Sequence, residues 1–279
     1  MGRSVSFSEK RKISPQQDSV ENREALLEGL DNCGIEIGPT KLALDEWKSE
    51  ELTLPDLKTM RTYRLNRIVS ELIRYELAGV LLFDPLNIRY ATDTTNMQLW
   101  NTHNPFRACL VMPNGHMVIW DYKNSPFLSK FNPLVKEVRS GASMFYFASG
   151  DKIGESAQVF SHEVSELLKT HCGKNRNLAV DKIMISGLRA LEGIDIRVSE
   201  GERIMEYARS IKGKDEILAM KCALSACEKS VEIMEAHAKP GLSENEVWSF
   251  LHSENIKRGG EWIETRLLTS GPRTNPWFQ

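Results

Sequence analysis

The run Val80-Leu81-Leu82-Phe83 constrains the fold of this chain more than any other stretch. It is apolar at every position, with Gly79 before it and Asp84-Pro85 after it as turn signals. A strand without a polar face is typical of a parallel or mixed sheet covered by helices on both sides. Leu178-Ala179-Val180 is a second short run of the same kind. The sequence therefore predicts an α/β fold.

Helical periodicity surrounds these two runs. Apolar residues recur at three- and four-residue spacing at Leu57, Met60, Leu65, Ile68, Val69, Leu72 and Ile73. This spacing predicts an amphipathic helix over about 53–77, and similar patterns predict helices over 155–169 and 185–191. Asn114-Gly115 between two apolar runs predicts a β-hairpin. We interpret Phe145-Tyr146-Phe147 as a further strand.

The chain changes character near residue 210. The segment 211–216 opens a long predicted helix whose apolar face includes Ile217, Met220, Leu224 and Val231, and Pro240-Gly241 ends it. Ser243 and Glu246 form a capping box at the start of the next predicted helix. From Glu261 onward we expect a strand that leads into a loop. These patterns predict three segments: an irregular N-terminal extension (1–50), an α/β domain (51–210) and the start of a second α/β layer (211–279).

Composition excludes several classes of protein. The formal net charge of −2 argues against a nucleic-acid-binding protein, which would carry a basic face. No stretch approaches the length of a membrane span, so we expect no membrane partner. The five cysteines are scattered and form no C-x-x-C pair. This usage favours free thiols in a reducing compartment, and we expect a cytoplasmic protein.

Several motifs resemble one superfamily. Asn87-Ile88-Arg89-Tyr90 resembles the N-x-R-Y signature of the N-terminal domain of creatinases and prolidases. The segments 211–217, 239–244 and Ser270-Gly271-Pro272 resemble, in matching order, the opening of the pita-bread catalytic domain of the same superfamily. The resemblance covers about residues 50–279. It implies a creatinase-like N-terminal α/β domain followed by the first part of an incomplete pita-bread catalytic domain.

Three longer stretches, 84–108, 117–134 and 254–279, look nearly word for word like the pita-bread type of dimethylsulfoniopropionate lyase. This resemblance implies a carbon–sulfur lyase that eliminates dimethyl sulfide from a small sulfonium zwitterion and leaves acrylate. It also implies a divalent metal ion, iron or zinc, and a homodimer. The superfamily's metal ligands follow the Ser-Gly loop, so none can be assigned to a residue of this chain. We therefore expect an inactive fragment that lacks catalytic residues and binds no stoichiometric iron or zinc.

Aromatic residues are the first candidates for substrate binding. Pro276-Trp277 stands where the superfamily's peptidases have a Pro-His or Ala-His pair. Tryptophan cannot take up a proton, but its ring face suits a sulfonium cation that offers no hydrogen bond. Trp277, Trp100 and Tyr90 are therefore candidate binding residues. Each could instead be an ordinary packing residue.

The segment from Thr94 to Asn104 is predicted to be a polar loop, and polar residues after Trp100 are the second candidates. In creatinase-like dimers the N-terminal domain closes over the partner's active site, which implies that Asn101, His103 and Arg107 reach a substrate carboxylate there. The alternative is a loop held together by its own hydrogen bonds. The remaining histidines show no metal-ligand spacing, and we interpret them as surface or capping residues: His116, His162, His171, His237 and His252.

Two other functions remain open. The chain could belong to a metallopeptidase or creatinase-like hydrolase of the same superfamily, although Trp277 replaces the expected histidine. It could also be a non-catalytic dimerisation or binding module. An unpaired final strand and exposed apolar helix faces would be aggregation liabilities in such a module.

Overall fold

The computed structural model describes residues 38–122, 125–261, 263 and 265–274. Two compact units make up the chain. We call the first the sheet unit, which spans Asp56–Gly213. We call the second the helical unit, which takes in the described residues of 38–55 and 214–274.

The described elements are numbered along the whole chain. The strands are β1 (Gly79–Leu82), β2 (Ala108–Val111), β3 (Met117–Asp121), β4 (Val135–Ser140), β5 (Asn177–Val180) and β6 (Arg197–Glu200). The helices are α1 (Lys41–Ser49), α2 (Leu57–Arg74), α3 (Pro85–Thr92), α4 (Gln98–His103), α5 (Tyr146–Ser149), α6 (Ile153–Cys172), α7 (Ile185–Glu192), α8 (Glu202–Ser210), α9 (Lys214–His237) and α10 (Glu244–Lys257). Short 3-10 turns occupy Pro126–Ser129, Gly150–Lys152 and Gly271–Arg273.

The six strands form one mixed sheet in the order β4-β3-β2-β1-β5-β6. β1 lies inside the sheet, antiparallel to β2 and parallel to β5. All four of its residues are buried, as are those of β2 and β3. Helices therefore cover both faces of these strands, and the predicted α/β fold is confirmed.

Each face of the sheet has its own core. Phe160 and Leu168 of α6 pack on one face. On the other face, Ile68 and Leu72 of α2 pack together with Met205 of α8. Burying one such side chain stabilises the fold by about 1.5–3 kcal/mol relative to leaving it exposed. The apolar periodicity of α2 thus sets which side of the helix meets the sheet.

A half-buried carboxylate joins the ends of β1 and β5. Asp181, just after β5, accepts hydrogen bonds from the backbone N–H of Phe83 at 2.7 Å and of Asp84 at 3.1 Å. The third donor is the Asn87 side chain of α3, at 3.0 Å. Burial nevertheless raises the pKa of the Asp181 carboxyl.

The predicted hairpin is confirmed, since β2 and β3 pair antiparallel and Gly115 takes the left-handed φ of 79° that such a turn needs.

The predicted strand at Phe145-Tyr146-Phe147 is wrong. Phe145 is extended, but α5 begins at the next residue. The Ser149 hydroxyl at the end of α5 donates to the Ser143 carbonyl at 2.6 Å and closes the turn. The strand in this region is β4, which lies at the edge of the sheet and alternates between half-buried and exposed residues.

In the helical unit, α1 packs on α9. Residues 41–49 were expected to be irregular, yet they form α1, with Ala43 and Trp47 buried against Cys222. Arg258, after α10, pairs with Glu46 of α1 at 2.8 Å. A helix with only two buried residues has little periodic signal in its sequence, so its stability comes from these tertiary contacts.

Two other predictions for the helical unit have different outcomes. Ser243 and Glu246 form the capping box of α10 as predicted. The strand expected from Glu261 is wrong for the part of the segment that the structure describes. There, residues 265–270 are irregular and the 3-10 turn Gly271–Arg273 follows.

Replacement of a core leucine tests the central position of β1. Leu81→Ala should lower the free energy of unfolding by about 2–5 kcal/mol, because a fully buried side chain leaves a cavity. Leu99→Ala is the matched control, since Leu99 is 55% exposed and its loss should cost about 0.5 kcal/mol or less. Urea unfolding followed by circular dichroism compares the two. Equal losses would contradict the buried position of β1.

Candidate functional site

Four of the six candidate binding residues lie in or just after α4. Trp100, Asn101 and His103 belong to the helix, and Arg107 immediately precedes β2. The sequence indicated a polar loop here, which is wrong for Gln98–His103. The helix is short and begins at Gln98, directly after Met97, whose φ of 44° is left-handed and whose side chain makes no cap.

Asn101 holds the start of α4 from inside the helix. Its side-chain amide donates to the carbonyls of Asn96 at 2.6 Å and Met97 at 3.1 Å. Its Oδ1 accepts from the Arg107 N–H at 3.4 Å. Both donors and one acceptor position of this buried side chain are therefore used within the loop. The geometry favours a positioning role over contact with a substrate.

Arg107 is buried in the same network, with 1% of its surface exposed. Its guanidinium pairs with Asp121 at the end of β3 at 3.0 Å and donates from Nη2 to the Thr94 hydroxyl at 2.8 Å. The third nitrogen, Nη1, is buried and has no hydrogen-bond partner among the described residues. Arg107 thus connects the strand ends with the loop before α4, and a ligand would reach it only if the surrounding side chains moved.

Trp100 lies in a cluster of aromatic rings. Its ring centroid is 6.0 Å from Tyr122, 5.8 Å from Phe145 and 6.3 Å from Phe147. Tyr122 also stacks on Phe106 at 4.3 Å. Burial, together with the charge of Asp121, raises the pKa of Tyr122 to about 12. We call these five aromatic residues the aromatic cluster.

One side of the aromatic cluster is open to solvent. Trp100 is half-buried, whereas Phe147 is 81% exposed. Edge-to-face pairs of this kind contribute about 0.5–1.5 kcal/mol beyond their burial. Trp100 is therefore a packing residue that also presents part of an aromatic surface.

Tyr90 is engaged elsewhere. Its hydroxyl on α3 donates to the Ala208 carbonyl of α8 at 3.1 Å. The Arg64 guanidinium lies 5.2 Å from the centre of its ring. Within the described residues no ring contact joins Tyr90 to Trp100, so the structure does not bring these two candidates together.

The last two candidates are His103 and Trp277. His103 is exposed on the last turn of α4. Trp277 lies outside the described residues.

The Ser-Gly segment of the helical unit is attached to the first turn of α10. Ser270 donates from its hydroxyl to Glu244 at 2.7 Å, and Arg273 pairs with the same carboxylate. These contacts hold the pKa of Glu244 below its ordinary value, the Ser270 hydrogen bond more than the Arg273 charge. A cleft of about 540 Å³ lies beside them, with Asn245 and Arg266 also in its wall.

Sequence reasoning missed one cluster in the sheet unit. His116, Glu137 and His171 each place a possible metal-ligating atom within 4.8 Å of the others. His116 Nε2 lies 2.9 Å from Glu137 Oε1, and the two imidazole rings stack with centroids 3.9 Å apart. Although burial opposes it, hydrogen bonds from Arg139 and His116 lower the pKa of Glu137. Burial and the neighbouring His116 lower the pKa of His171.

Comparison with known sequences finds similarity to two lyases. No known family profile matches the chain. It is 58% identical over 283 residues to the dimethylsulfoniopropionate lyase DddP of Roseovarius nubinhibens, which covers 98% of this chain and 62% of that protein. It is 55% identical over 280 residues to DddP of Roseobacter denitrificans, with the same coverage. The chain thus spans about 62% of the length of these curated relatives.

Comparison with solved structures supports the fold. The Xaa-Pro dipeptidase of Bacillus anthracis is 19% identical with a TM-score of 0.51, over 71% of this chain and 49% of that one. The prolidase of Thermococcus sibiricus is 18% identical with a TM-score of 0.51, over 69% of this chain and 48% of that one. At these identities the likeness to both structures is one of fold. The sequence of the chain is similar to those of the two dimethylsulfoniopropionate lyases named DddP.

Removing the buried charge tests the network that holds α4. Arg107→Met leaves Asp121 buried without its partner and should cost about 3–5 kcal/mol of unfolding free energy. Arg74→Met removes an exposed arginine that lies 3.4 Å from Glu71 and should cost about 1 kcal/mol or less. Chemical denaturation compares the two variants. A loss for Arg107→Met no larger than that for Arg74→Met would contradict the network.

Proposed function

We propose that the chain is part of a metal-dependent carbon–sulfur lyase that acts on dimethylsulfoniopropionate. The observation that carries the proposal is the identity of 58% and 55% to two lyases of this name over 98% of the chain. Because the chain spans 62% of their length, the proposed activity is that of the full-length protein.

The proposed reaction is a β-elimination. A base takes the proton from the carbon next to the carboxylate, and the electrons of that C–H bond form the new carbon–carbon double bond. The bond from the β carbon to sulfur breaks, and its electron pair leaves with the sulfur. The products are acrylate, neutral dimethyl sulfide and the proton held by the base.

A divalent metal ion, iron or zinc, is part of the proposal. When bound, it would stabilise the negative charge that develops as the proton leaves. Within the described residues of the helical unit, no three His, Cys, Asp or Glu side chains lie close enough to share an ion. These residues do not fit such a metal. We therefore assign neither its ligands nor the catalytic base to any of them, and no step of the elimination is derived through the metal.

Substrate binding is proposed for a smaller set of residues than the sequence indicated. The open side of the aromatic cluster supports a role for Trp100 in holding the sulfonium group. The exposure of His103 leaves it available for the carboxylate. Asn101 and Arg107 would act indirectly, by fixing α4. Tyr90 has the weakest support, because its ring already faces the Arg64 cation.

The oligomeric state and the cellular location of the protein are also proposed. A homodimer is implied by the resemblance to creatinase-like dimers, in which the N-terminal domain closes over the partner's active site. A cytoplasmic location is supported by the free thiols of the four described cysteines: Cys109, Cys172, Cys222 and Cys227. Within the described chain, no helix is long and apolar enough to span a membrane.

A hydrolase of the pita-bread superfamily is the second candidate. The structural neighbours named as an Xaa-Pro dipeptidase and a prolidase support it through fold alone. Trp277 opposes it, because tryptophan has no basic nitrogen to take up a proton.

Gas-chromatographic measurement of dimethyl sulfide tests the proposed reaction. The 279-residue chain should release none from dimethylsulfoniopropionate, even with added iron or zinc. A fusion of this chain to the part of the Roseovarius nubinhibens lyase beyond the aligned region should release it. Xaa-Pro dipeptides are the control substrates, and their cleavage by a fusion that leaves the sulfonium substrate intact would favour the hydrolase.

Variants of Trp100 in that fusion test the aromatic contact. Trp100→Ala should raise KM by about 2- to 30-fold, the equivalent of about 0.5–2 kcal/mol for a cation over an aromatic ring. Trp100→Phe keeps a ring and should recover most of the loss. Unfolding midpoints of both variants separate binding from packing. An equal rise in KM for the two variants would show that the ring is not a binding contact.

A further inference from the structure

The cluster of His116, Glu137 and His171 is built by three rigid elements of the sheet unit. His116 is held by the tight turn between β2 and β3, where its N–H donates to the Asn114 side chain at 3.0 Å. Glu137 lies on β4 beside Val118. His171 occupies the last turn of α6. Ligands on a strand and a long helix, such as Glu137 and His171, are held more precisely than ligands on loops.

The sheet is irregular at this point. Pairing between β3 and β4 shifts register between Met117 and Val118, directly after His116. A β-bulge bends its strand and redirects the side chains next to it. Here the shift accompanies the approach of Glu137 to His116, with Oε1 and Nε2 2.9 Å apart.

We propose that His116, Glu137 and His171 bind a divalent transition-metal ion such as Zn²⁺. Two imidazole nitrogens and one carboxylate oxygen form a donor set that suits zinc and its neighbours, whereas Ca²⁺ and Mg²⁺ require mostly oxygen ligands. Ligands about 2.0–2.2 Å from a tetrahedral zinc ion are about 3.4 Å from one another. The donor atoms already lie within 4.8 Å, so small side-chain rotations close the site.

Neighbouring groups orient the proposed ligands. Arg139 donates from Nε and Nη2 to Glu137 Oε2, at 3.1 and 2.8 Å, which leaves Oε1 directed at His116. Hydrogen bonds of this kind fix the orientation of a ligating carboxylate. The Asn114 amide nitrogen lies 3.2 Å from His171 Nδ1 and can only donate, so the His171 imidazole would exchange this hydrogen bond for the metal ion.

The site would leave one position of a tetrahedral ion open. All three ligands are half-buried, and the exposed fractions of the His116 and Glu137 side chains are 20% and 34%. Three protein ligands and one open position characterise zinc sites that bind water or a small anion rather than purely structural ones. The proposal therefore predicts exchangeable metal, in contrast to the sequence-based expectation that this chain binds no stoichiometric zinc.

Zinc titration of the untagged protein tests the site. Cys227→Ser serves as the background, because Cys227 is an exposed thiol that could itself bind zinc. Isothermal titration calorimetry should show one Zn²⁺ per chain. Co²⁺ should give the visible absorption bands of a tetrahedral ion. His171→Ala and Glu137→Gln should each weaken binding by at least about tenfold, the loss found even for residues that only orient ligands.

His162→Ala is the matched control. His162 is an exposed histidine on α6, the same helix as His171, and its Nδ1 lies 2.7 Å from the Gln158 carbonyl oxygen. Its replacement should leave zinc binding unchanged, and circular dichroism should show the same helix content in every variant. Absence of zinc binding to the background protein, or equal affinity in His171→Ala and the background, would overturn the proposal. Tenfold weaker binding confined to the cluster variants would support it.

Discussion

The buried pair of Arg107 and Asp121 holds together the part of the sheet unit that carries the candidate residues. Arg107 precedes β2 and Asp121 ends β3, so the charge pair lies where two antiparallel strands meet the loop before α4. Asp121 also accepts from Asn96 at 3.0 Å, and Thr94 accepts from Arg107 at 2.8 Å. An unpaired charge at this depth would cost several kcal/mol, so the strand ends and the loop must be placed together. The position of the aromatic cluster follows from an electrostatic requirement inside the fold.

Local signals made much of the fold predictable. The apolar run of β1, the periodicity of α2 and α6, the Asn-Gly turn and the capping box of α10 each lie within a few residues, and the structure contains all of them. α4 could not be predicted in the same way. Its first residue follows a left-handed Met97 without a side-chain cap, and Asn101 holds that turn from within the helix. α5 replaces a predicted strand, and its turn is closed by the Ser149 hydroxyl, which donates to the Ser143 carbonyl, a contact that periodicity does not reveal.

The candidate binding residues show where residue type alone misleads. Arginine and asparagine in a polar segment suggested contact with a carboxylate, since both make directional hydrogen bonds. The same capacity serves a buried loop equally well, and the choice depends on burial. Burial of Arg107 follows from the pairing of β2 with β3, which places Asp121 beside it. The resemblance to the lyases predicted the fold class, whereas the placement of Asn101 and Arg107 required the register of two strands.

The histidine cluster depends on contacts between residues that lie far apart in the sequence. His116 and Glu137 are 21 residues apart, and only the parallel pairing of β3 with β4 brings them together. β4 is the edge of the sheet, and charges such as Glu137 and Arg139 commonly protect an edge strand from pairing with another chain. That protection explains the ion pair of Glu137 and Arg139. It does not explain the two half-buried imidazoles stacked beside the pair, because solvated charges alone would protect the edge. A metal site gives all three side chains one common role, since each supplies a donor atom that a zinc ion prefers.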